Sequence, residues 1–471
     1  MFPAKKHMTK EIKKMNRSVE SLCWTEEEKK EFNRTHNSPF GEEYTSGEDN
    51  QIVSGNIFLS WNDKVTHRNP HIAVLGGPAS GKTTCAMLPN LKRAAGSYIV
   101  VDPYGEMLKS CRAKLRQNGT AIRVLDFSNP QTSDGYNPFC YLKNEENVQE
   151  LTCCLMENTN LPERIGDPFF EKSEIALLNA IFFYLWHHAE KEKCNLREAY
   201  RMATIAPERD GEFDALFETL KETDANDPAI ANYDIFRLLP EKTMIAVCAT
   251  VTTRLAAFHA EPDMDLSERD TVALDAIGDT KTAVFLTGFH KPAAQKVLVP
   301  MFCMQAFRAL MHHAAYECDE HRLPQHVTIL LDELPNLGYI PRLDHSLATC
   351  RKYRISTIMA AQTVGEMKQM YGEQTETILA SCEAVVYMGG SCLASDENAL
   401  KYASKWLGKT TIAGVQTSVS EETPEKEEDA SASITQPLMQ ETIRRLPVGM
   451  CLVLIKDMPA TLDEKFCGYL K

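Results

Sequence analysis

The chain has 471 residues, 43% hydrophobic and 25% charged, a globular composition with room for two or three domains. No apolar run reaches the roughly 18 residues that a membrane-spanning helix needs, and the basic N-terminus "MFPAKKHMTKEIKKMNR" lacks the apolar centre of a signal peptide. The net charge of −14 is uneven: residues 145–275 hold 27 acidic and 12 basic side chains, a local balance of −15 that leaves the remainder near +1, and such asymmetry reports on partners rather than on fold.

In chain order, residues 1–50 form a polar, aperiodic segment, strongly basic over 5–17, in which "TEEEKKEF" is compatible with a short helix. From about residue 52 the texture changes. "NIFLSW" and "HIAVLG" read as strands and a helix-compatible stretch follows from Lys82. "SYIVVD" (97–102), another helix and "AIRVLDF" (121–127) come next. Strands alternating with helices predict a parallel, doubly wound α/β sheet. Between 145 and 275 the strand signals fade. "EKSEIALLNAIFFYLW", "GEFDALFETLKE" and "EKTMIAVCATVTTRLAAF" carry helical periodicity, so an all-α insertion is expected there. Strand texture returns over 276–471 in "TAVFLTG", "HVTILLD", "ISTIMAAQ" and "AVVYMGG", with "MCLVLIKDMP" read as the last strand. Residues 414–436 are poor in large hydrophobes, hold six acids and one lysine over 421–429, and are expected to form a flexible acidic loop. The 15 cysteines form no CxxC pair and suit a reducing cytoplasm; neither they nor the 13 histidines show zinc-ligand spacing.

The chemistry begins at "GGPASGKT" (76–83), directly after the strand "HIAVL". It fits the phosphate-cradling loop G-x-x-x-x-G-K-[ST], which makes Gly76, Gly77, Pro78, Ala79, Ser80, Gly81, Lys82, Thr83 and Thr84 the candidate nucleotide-binding residues. The loop's backbone N–H groups face phosphate oxygens, Lys82 places a charge at the β- and γ-phosphates, and the Thr83 hydroxyl is a Mg²⁺ ligand. "ILLDELPNLG" ends a second apolar run in two carboxylates, which is costly unless something positive waits there. A Mg²⁺ ion with its nucleotide is such a partner. Asp332 is expected to hold the metal, partly through water, and Glu333 to polarise the attacking water. Asp332 as a plain helix cap is the alternative. Lys82 and Asp332 lie 250 residues apart, long for one compact nucleotide fold, and the helical stretch 145–275 accounts for the gap.

Beyond these two motifs, "SYIVVDPYGE", "YNPF" (136–139), "LLDELPNLGYIPRL", "CRKYRISTIMAAQ" and "LASCEAVVYMGG" follow in an order that resembles the type IV secretion coupling proteins, the TraG/TraD-like conjugation ATPases, over roughly residues 55–460. The resemblance implies a RecA-like ATPase interrupted by an all-α domain. It implies ATP and Mg²⁺ as cofactors and a hexameric ring at the cytoplasmic face of the inner membrane, at the mouth of a type IV secretion channel. A relaxase–single-stranded DNA complex would be the substrate. It assigns an arginine finger, reaching the neighbouring subunit's nucleotide, to Arg351, and a γ-phosphate-sensing glutamine to Gln362. A solvated helix end and a satisfied strand-end amide are the plainer readings of those two residues.

This sequence departs from the family's pattern in places. Ala79 stands where glycine is common, and Tyr104 replaces the lysine of "DPKGE", while Asp102, Gly105 and Glu106 are kept. Asp102, read as ending the strand beside the phosphate loop, either supports the site or caps a helix. Members usually carry N-terminal transmembrane helices and none is legible here, which leaves either a trimmed chain or a variant recruited by partners. The basic stretch 5–17 suits contact with anionic lipid or is a solvated tail. The acidic helical stretch either receives a basic protein such as a relaxase, leaving DNA to the ATPase core, or merely aids solubility. Two other functions compete: a double-stranded-DNA translocase of the FtsK/HerA type, against which the long insertion argues, and a substrate-receptor platform with little ATPase activity, against which the intact Lys82, Asp332 and Glu333 set argues.

Overall fold

The computed structural model describes residues 24–35, 50–159, 168–259, 266–289, 294–389 and 446–466. The basic stretch 5–17 and the acidic loop 414–436 lie outside the described residues. A short antiparallel pair, β1 (Asn50–Ile52) with β2 (Phe58–Ser60), precedes one large sheet. That sheet is built from β3 (Ile72–Leu75), β4 (Ser97–Asp102), β5 (Ala121–Asp126), β6 (Thr282–Thr287), β7 (Val327–Leu331), β8 (Ile355–Ala361), β9 (Ala384–Tyr387), β10 (Met450–Ile455) and β11 (Thr461–Glu464). Their order is β11-β10-β9-β3-β8-β7-β4-β6-β5. From β9 to β5 every neighbouring pair is parallel, as expected from the sequence. The edge differs: β10 and β11 are antiparallel additions, and β10, the "MCLVLIKDMP" strand, is not the last.

The inner strands form where they do because they are covered on both sides. In β3, Ala73 and Leu75 join one apolar core while Ile72 and Val74 join the other, and β4 divides Ile99 and Val101 from Tyr98 and Val100 in the same way. A strand buried on two faces reads as an unbroken apolar run, which is why these segments were legible. One face carries α1 (Glu26–Thr35), whose Phe32 is buried there with Trp24, α2 (Leu88–Lys92) and α3 (Glu106–Gln117).

The opposite face carries α4 (Glu145–Thr159), α5 (Pro168–His187), α6 (Leu196–Ile205), α7 (Glu212–Thr223), α8 (Pro228–Arg237), α9 (Glu241–Leu255) and α10 (Leu298–Tyr316). Among the described residues, 145–275 contains helices and turns and no strand. This stretch joins β5 to its sheet neighbour β6. Local chemistry sets its boundaries. Asn195 caps α6 by accepting from Glu198 N–H at 2.9 Å, and Asp227 caps α8 by accepting from Ala229 N–H at 2.7 Å, with Pro228 at the first helical position. Arg254 of α9 meets Glu174 of α5 at 2.7 Å, both largely buried. Leu177, Leu178, Ile181 and Phe182 of α5 are fully buried, so "ALLNAIFFYLW" is an interior helix. Among the described residues no helix is long and apolar enough to cross a membrane.

Candidate nucleotide site

The phosphate loop leaves the end of β3 and is held from three sides. Gly76 N–H donates to Ala361 O of β8 at 3.2 Å, Gly77 N–H to Gly389 O at 3.1 Å, and Met388 N–H to Leu75 O at 2.7 Å. A Cβ on Gly76 would lie 2.5 Å from Ser80 Oγ and 2.9 Å from Met388 Cβ, so only glycine fits there. Pro78 and Ala79 are exposed at the tip while Gly76, Gly77, Ser80 and Lys82 are buried. The loop closes at Gly81, with φ +96°, and opens into a π-helical turn, Lys82–Met87, which continues into α2. Such turns concentrate at functional sites. Lys82 Nζ donates to Gly76 O at 2.6 Å and Gly77 O at 3.2 Å, which places the ammonium inside the loop. Thr84 is exposed, one residue beyond.

The parallel register then brings the acids to the loop. Strands β3, β8 and β7 are consecutive, so their C-terminal ends share one edge. Thr83 Oγ1 donates to Asp332 Oδ2 at 2.8 Å. Asp332 is 8% exposed, and its other oxygen, Oδ1, is buried with no hydrogen-bond partner. Burial pushes the carboxyl up to about 6; the Thr83 hydrogen bond and Lys82 oppose this, and neighbouring Glu333 and Asp102 add to it. A buried acceptor left unmatched costs about 1–3 kcal/mol. Two hard oxygen donors with one unmatched lone-pair set are what a Mg²⁺ ion needs from a protein, so the residues fit that group.

Glu333 is half-buried and sits in the left-handed region at φ +54°, a conformation that costs a non-glycine residue about 1 kcal/mol or more. Its Oε2 accepts from Asn336 Nδ2 at 3.3 Å. Gln362 directly follows β8 and therefore lies between the loop strand and the Asp332 strand. Arg351 does not join this group. It lies in a tight turn, Cys350–Tyr353, before β8, at the opposite edge of the sheet, roughly 20 Å away across seven strand residues. There Arg351 Nη1 donates to His67 O at 3.0 Å. Arg354 is tied to Pro324 O at 2.8 Å and Leu323 O at 3.2 Å.

For Asp102, the expected adjacency of its strand to the loop strand does not hold, and the helix-cap alternative does. Its strand β4 is not beside β3; β8 and β7 lie between them. Its carboxylate accepts from Glu106 N–H at 3.1 Å and Leu108 N–H at 2.9 Å, so it caps α3, with Gly105 at φ +71° making the turn and Tyr104 exposed.

Sequence spacing missed Lys465. This buried lysine, just past β11, donates from Nζ to Ser80 O in the phosphate loop at 2.9 Å. It lies 385 residues from Ser80, and no local pattern marks it. The fold also gathers two histidine clusters, His187 and His188 around Asp227, and Asp279 with His313 and Cys318. His188 Nε2 lies 2.8 Å from Asp227 Oδ2 and His313 Nε2 lies 2.8 Å from Asp279 Oδ1, so carboxylate hydrogen bonds account for both rings.

Comparison with known proteins bears on the family and the fold. A family model described as "Type IV secretory system Conjugative DNA transfer" matches residues 9–470. A probable conjugal transfer protein TraG of Sinorhizobium fredii is 23% identical over 378 residues, covering 79% of this chain and 57% of its own length. The conjugal transfer protein TraG of Agrobacterium fabrum is 25% identical over 360 residues, covering 74% and 52%. The chain thus spans about half the length of the curated relatives it matches. Among solved structures it is similar to the bacterial conjugative coupling protein TrwBdeltaN70, with a TM-score of 0.65, 16% identity, and coverage of 94% of this chain and 91% of that one. The plasmid coupling protein TrwB solved with ADP and Mg²⁺ gives a TM-score of 0.58 at 16% identity, covering 88% and 89%.

Proposed function

The chain belongs to the type IV secretory family of conjugative DNA transfer, and from that membership we propose that it is an ATP-hydrolysing coupling protein. It receives relaxase-bound single-stranded DNA, or protein, and delivers it to a secretion channel at the cytoplasmic face of the cell membrane. The observation that carries the hydrolytic part is the Thr83–Asp332 hydrogen bond, beside a buried and unmatched Asp332 Oδ1, at the mouth of an intact phosphate loop. Thr83 and Asp332 would hold a Mg²⁺ ion there with ATP, and the ion would supply charge to offset that developing on the transferring phosphoryl group.

The chain's own residues divide the remaining work. Loop N–H groups and Lys82 hold the β- and γ-phosphates. Thr83 and Asp332 hold the metal. Glu333, beside Asp332 on the same turn, orients the attacking water and takes its proton. Gln362 presents its amide to the γ-phosphate between β3 and β7. Arg351, at the far edge of its own sheet, cannot serve its own nucleotide. It acts in trans on a neighbour's, which requires subunits to associate, as in the hexameric ring that the family resemblance implies.

Residues 145–275 act as the receptor. Their balance of −15 repels DNA phosphates and suits a basic protein surface. Ile235, Leu238 and Ile245, on and beside α8 and α9, are exposed and add apolar contact. DNA then falls to the near-neutral ATPase core. Phosphate release by the wild type and Lys82→Ala, each with and without single-stranded DNA, tests this reading. DNA-stimulated turnover absent from the variant is expected. Wild-type turnover no higher than the variant's under every DNA condition overturns it.

A further inference from the structure

The last strand of the sheet and the residue that follows it carry three buried polar side chains at alternate positions, Thr461, Asp463 and Lys465, and alternate positions share a face. Lys465 continues the β11 ladder by donating its N–H to Gly449 O at 2.8 Å. Each of the three holds a different part of the molecule. Thr461 Oγ1 accepts from Trp24 N–H at 3.0 Å. Asp463 Oδ1 accepts from Lys29 Nζ of α1 at 2.8 Å and from Asn56 Nδ2 at 2.9 Å; its Oδ2 accepts from Ser54 Oγ at 2.6 Å and Asn56 N–H at 3.0 Å. Lys465 Nζ donates to Ser80 O at 2.9 Å.

The third contact acts on the phosphate loop directly. A trans peptide is planar, with its C=O and N–H on opposite sides. Lys465, by fixing the Ser80 carbonyl, also fixes the direction of the Gly81 N–H, which points away from Lys465. Ser80 has little else to fix it: its N–H donates to Gly77 O at 3.2 Å inside the loop, and its Oγ is buried without a partner. Lys465 is 4% exposed, and an ammonium so buried is tolerated because it is matched by hydrogen bonding.

We propose that Lys465 is a positioning residue for the phosphate loop, and that β11 links the loop's geometry to docking of the N-terminal helix α1. The inference rests on the nucleotide-binding reading above. It adds that the loop is set by the far end of the chain, through a strand whose next buried carboxylate is occupied by Lys29.

Binding of a fluorescent ATP analogue with Mg²⁺ to the full chain tests it, for wild type, Lys82→Ala, Lys465→Met, Lys465→Arg and Lys29→Met. Lys465→Met removes a charged donor, so nucleotide Kd should rise about tenfold. Lys465→Arg should restore most of that loss. Lys29→Met, distant from the loop, should raise Kd about threefold, and the double variant should show less than the product of the two effects, because both act through one strand. Lys29→Met alone carries the test if Lys465→Met does not fold. Wild-type affinity in both Lys465→Met and Lys29→Met, with binding lost in Lys82→Ala, overturns this inference alone. Absence of binding in the wild type overturns it together with the nucleotide reading.

Discussion

Thr83 donates its hydroxyl to Asp332 across 249 residues of sequence, and the contact joins the start of the phosphate-loop helix to the end of β7. An amide in place of the carboxylate keeps the volume but loses the charge a hard cation needs. Asp332→Asn should therefore abolish the gain in nucleotide affinity that Mg²⁺ produces. Affinity measured with the metal chelated should stay within about threefold of wild type, because the loop and Lys82 still hold the phosphates. Turnover should fall about 100-fold or more. Paired titrations with and without Mg²⁺ separate the two effects; equal losses in both would contradict the assignment.

Ala79 occupies a left-handed position, φ +55°, at the exposed tip of the loop. That conformation costs alanine roughly 1–2 kcal/mol, part of which glycine's extra unfolded-state freedom offsets. Ala79→Gly should stabilise the native state by up to about 1 kcal/mol, raising Tm by about 1–2 °C, and Ala79→Val should lower it. A thermal melt of the two variants decides the sign.

Arg351 and Gln362 stand at opposite ends of β8, so a single subunit cannot bring both to one nucleotide. Arg351→Ala subunits keep an intact phosphate loop, and Lys82→Ala subunits keep an intact arginine. Each variant alone should be nearly inactive. Mixing the two should recover a measurable fraction of turnover, because some interfaces then pair a good loop with a good arginine. Wild-type specific activity should also rise with protein concentration. Mixed assemblies no more active than their parts would remove Arg351 from the mechanism.

His71 precedes β3 and is fully buried, accepting at Nδ1 from Thr357 N–H at 3.0 Å with Nε2 2.9 Å from Leu347 O. Burial pushes its pKa down to about 4, with Lys456 and Arg351 acting in the same direction against the Leu347 hydrogen bond. The native ring is neutral, whereas the unfolded chain takes up the proton near 6.5. The unfolded state binds more protons between these values, so this contribution is complete above about pH 6.5 and declines toward pH 4. The loss amounts to about 3 kcal/mol. Denaturant unfolding of wild type at a series of pH values should show the decline, and His71→Asn, less stable throughout, should show a shallower slope over the same range.

Legibility followed burial and locality. Strands such as β4 and β7 were readable because both faces are apolar and every residue of the run is buried. The sequence "TLDE" of β11 was not readable. Its buried Thr461 and Asp463 are matched by Trp24 and Lys29, partners more than 400 residues away. Of the site, Lys82, Thr83 and Asp332 were named from spacing and strand ends alone. Strand order was invisible to that reasoning, so Asp102 was put beside the loop when two strands intervene. The ten positions between Arg351 and Gln362 hold the whole of β8, and only parallel pairing with β3 tells which end faces the phosphates.

The helical stretch between β5 and β6 interrupts a pair of strands that are already neighbours, in register from Ala121↔Thr282 to Asp126↔Thr287. A parallel pair needs some crossover but sets no upper limit on its length. The pairing of β5 with β6 therefore does not fix which helices lie between them, so a different helical segment can be grafted there with the sheet register unchanged. A graft must still present an apolar underside to Phe302 and Phe307 of α10, which are fully buried in the core the two regions share.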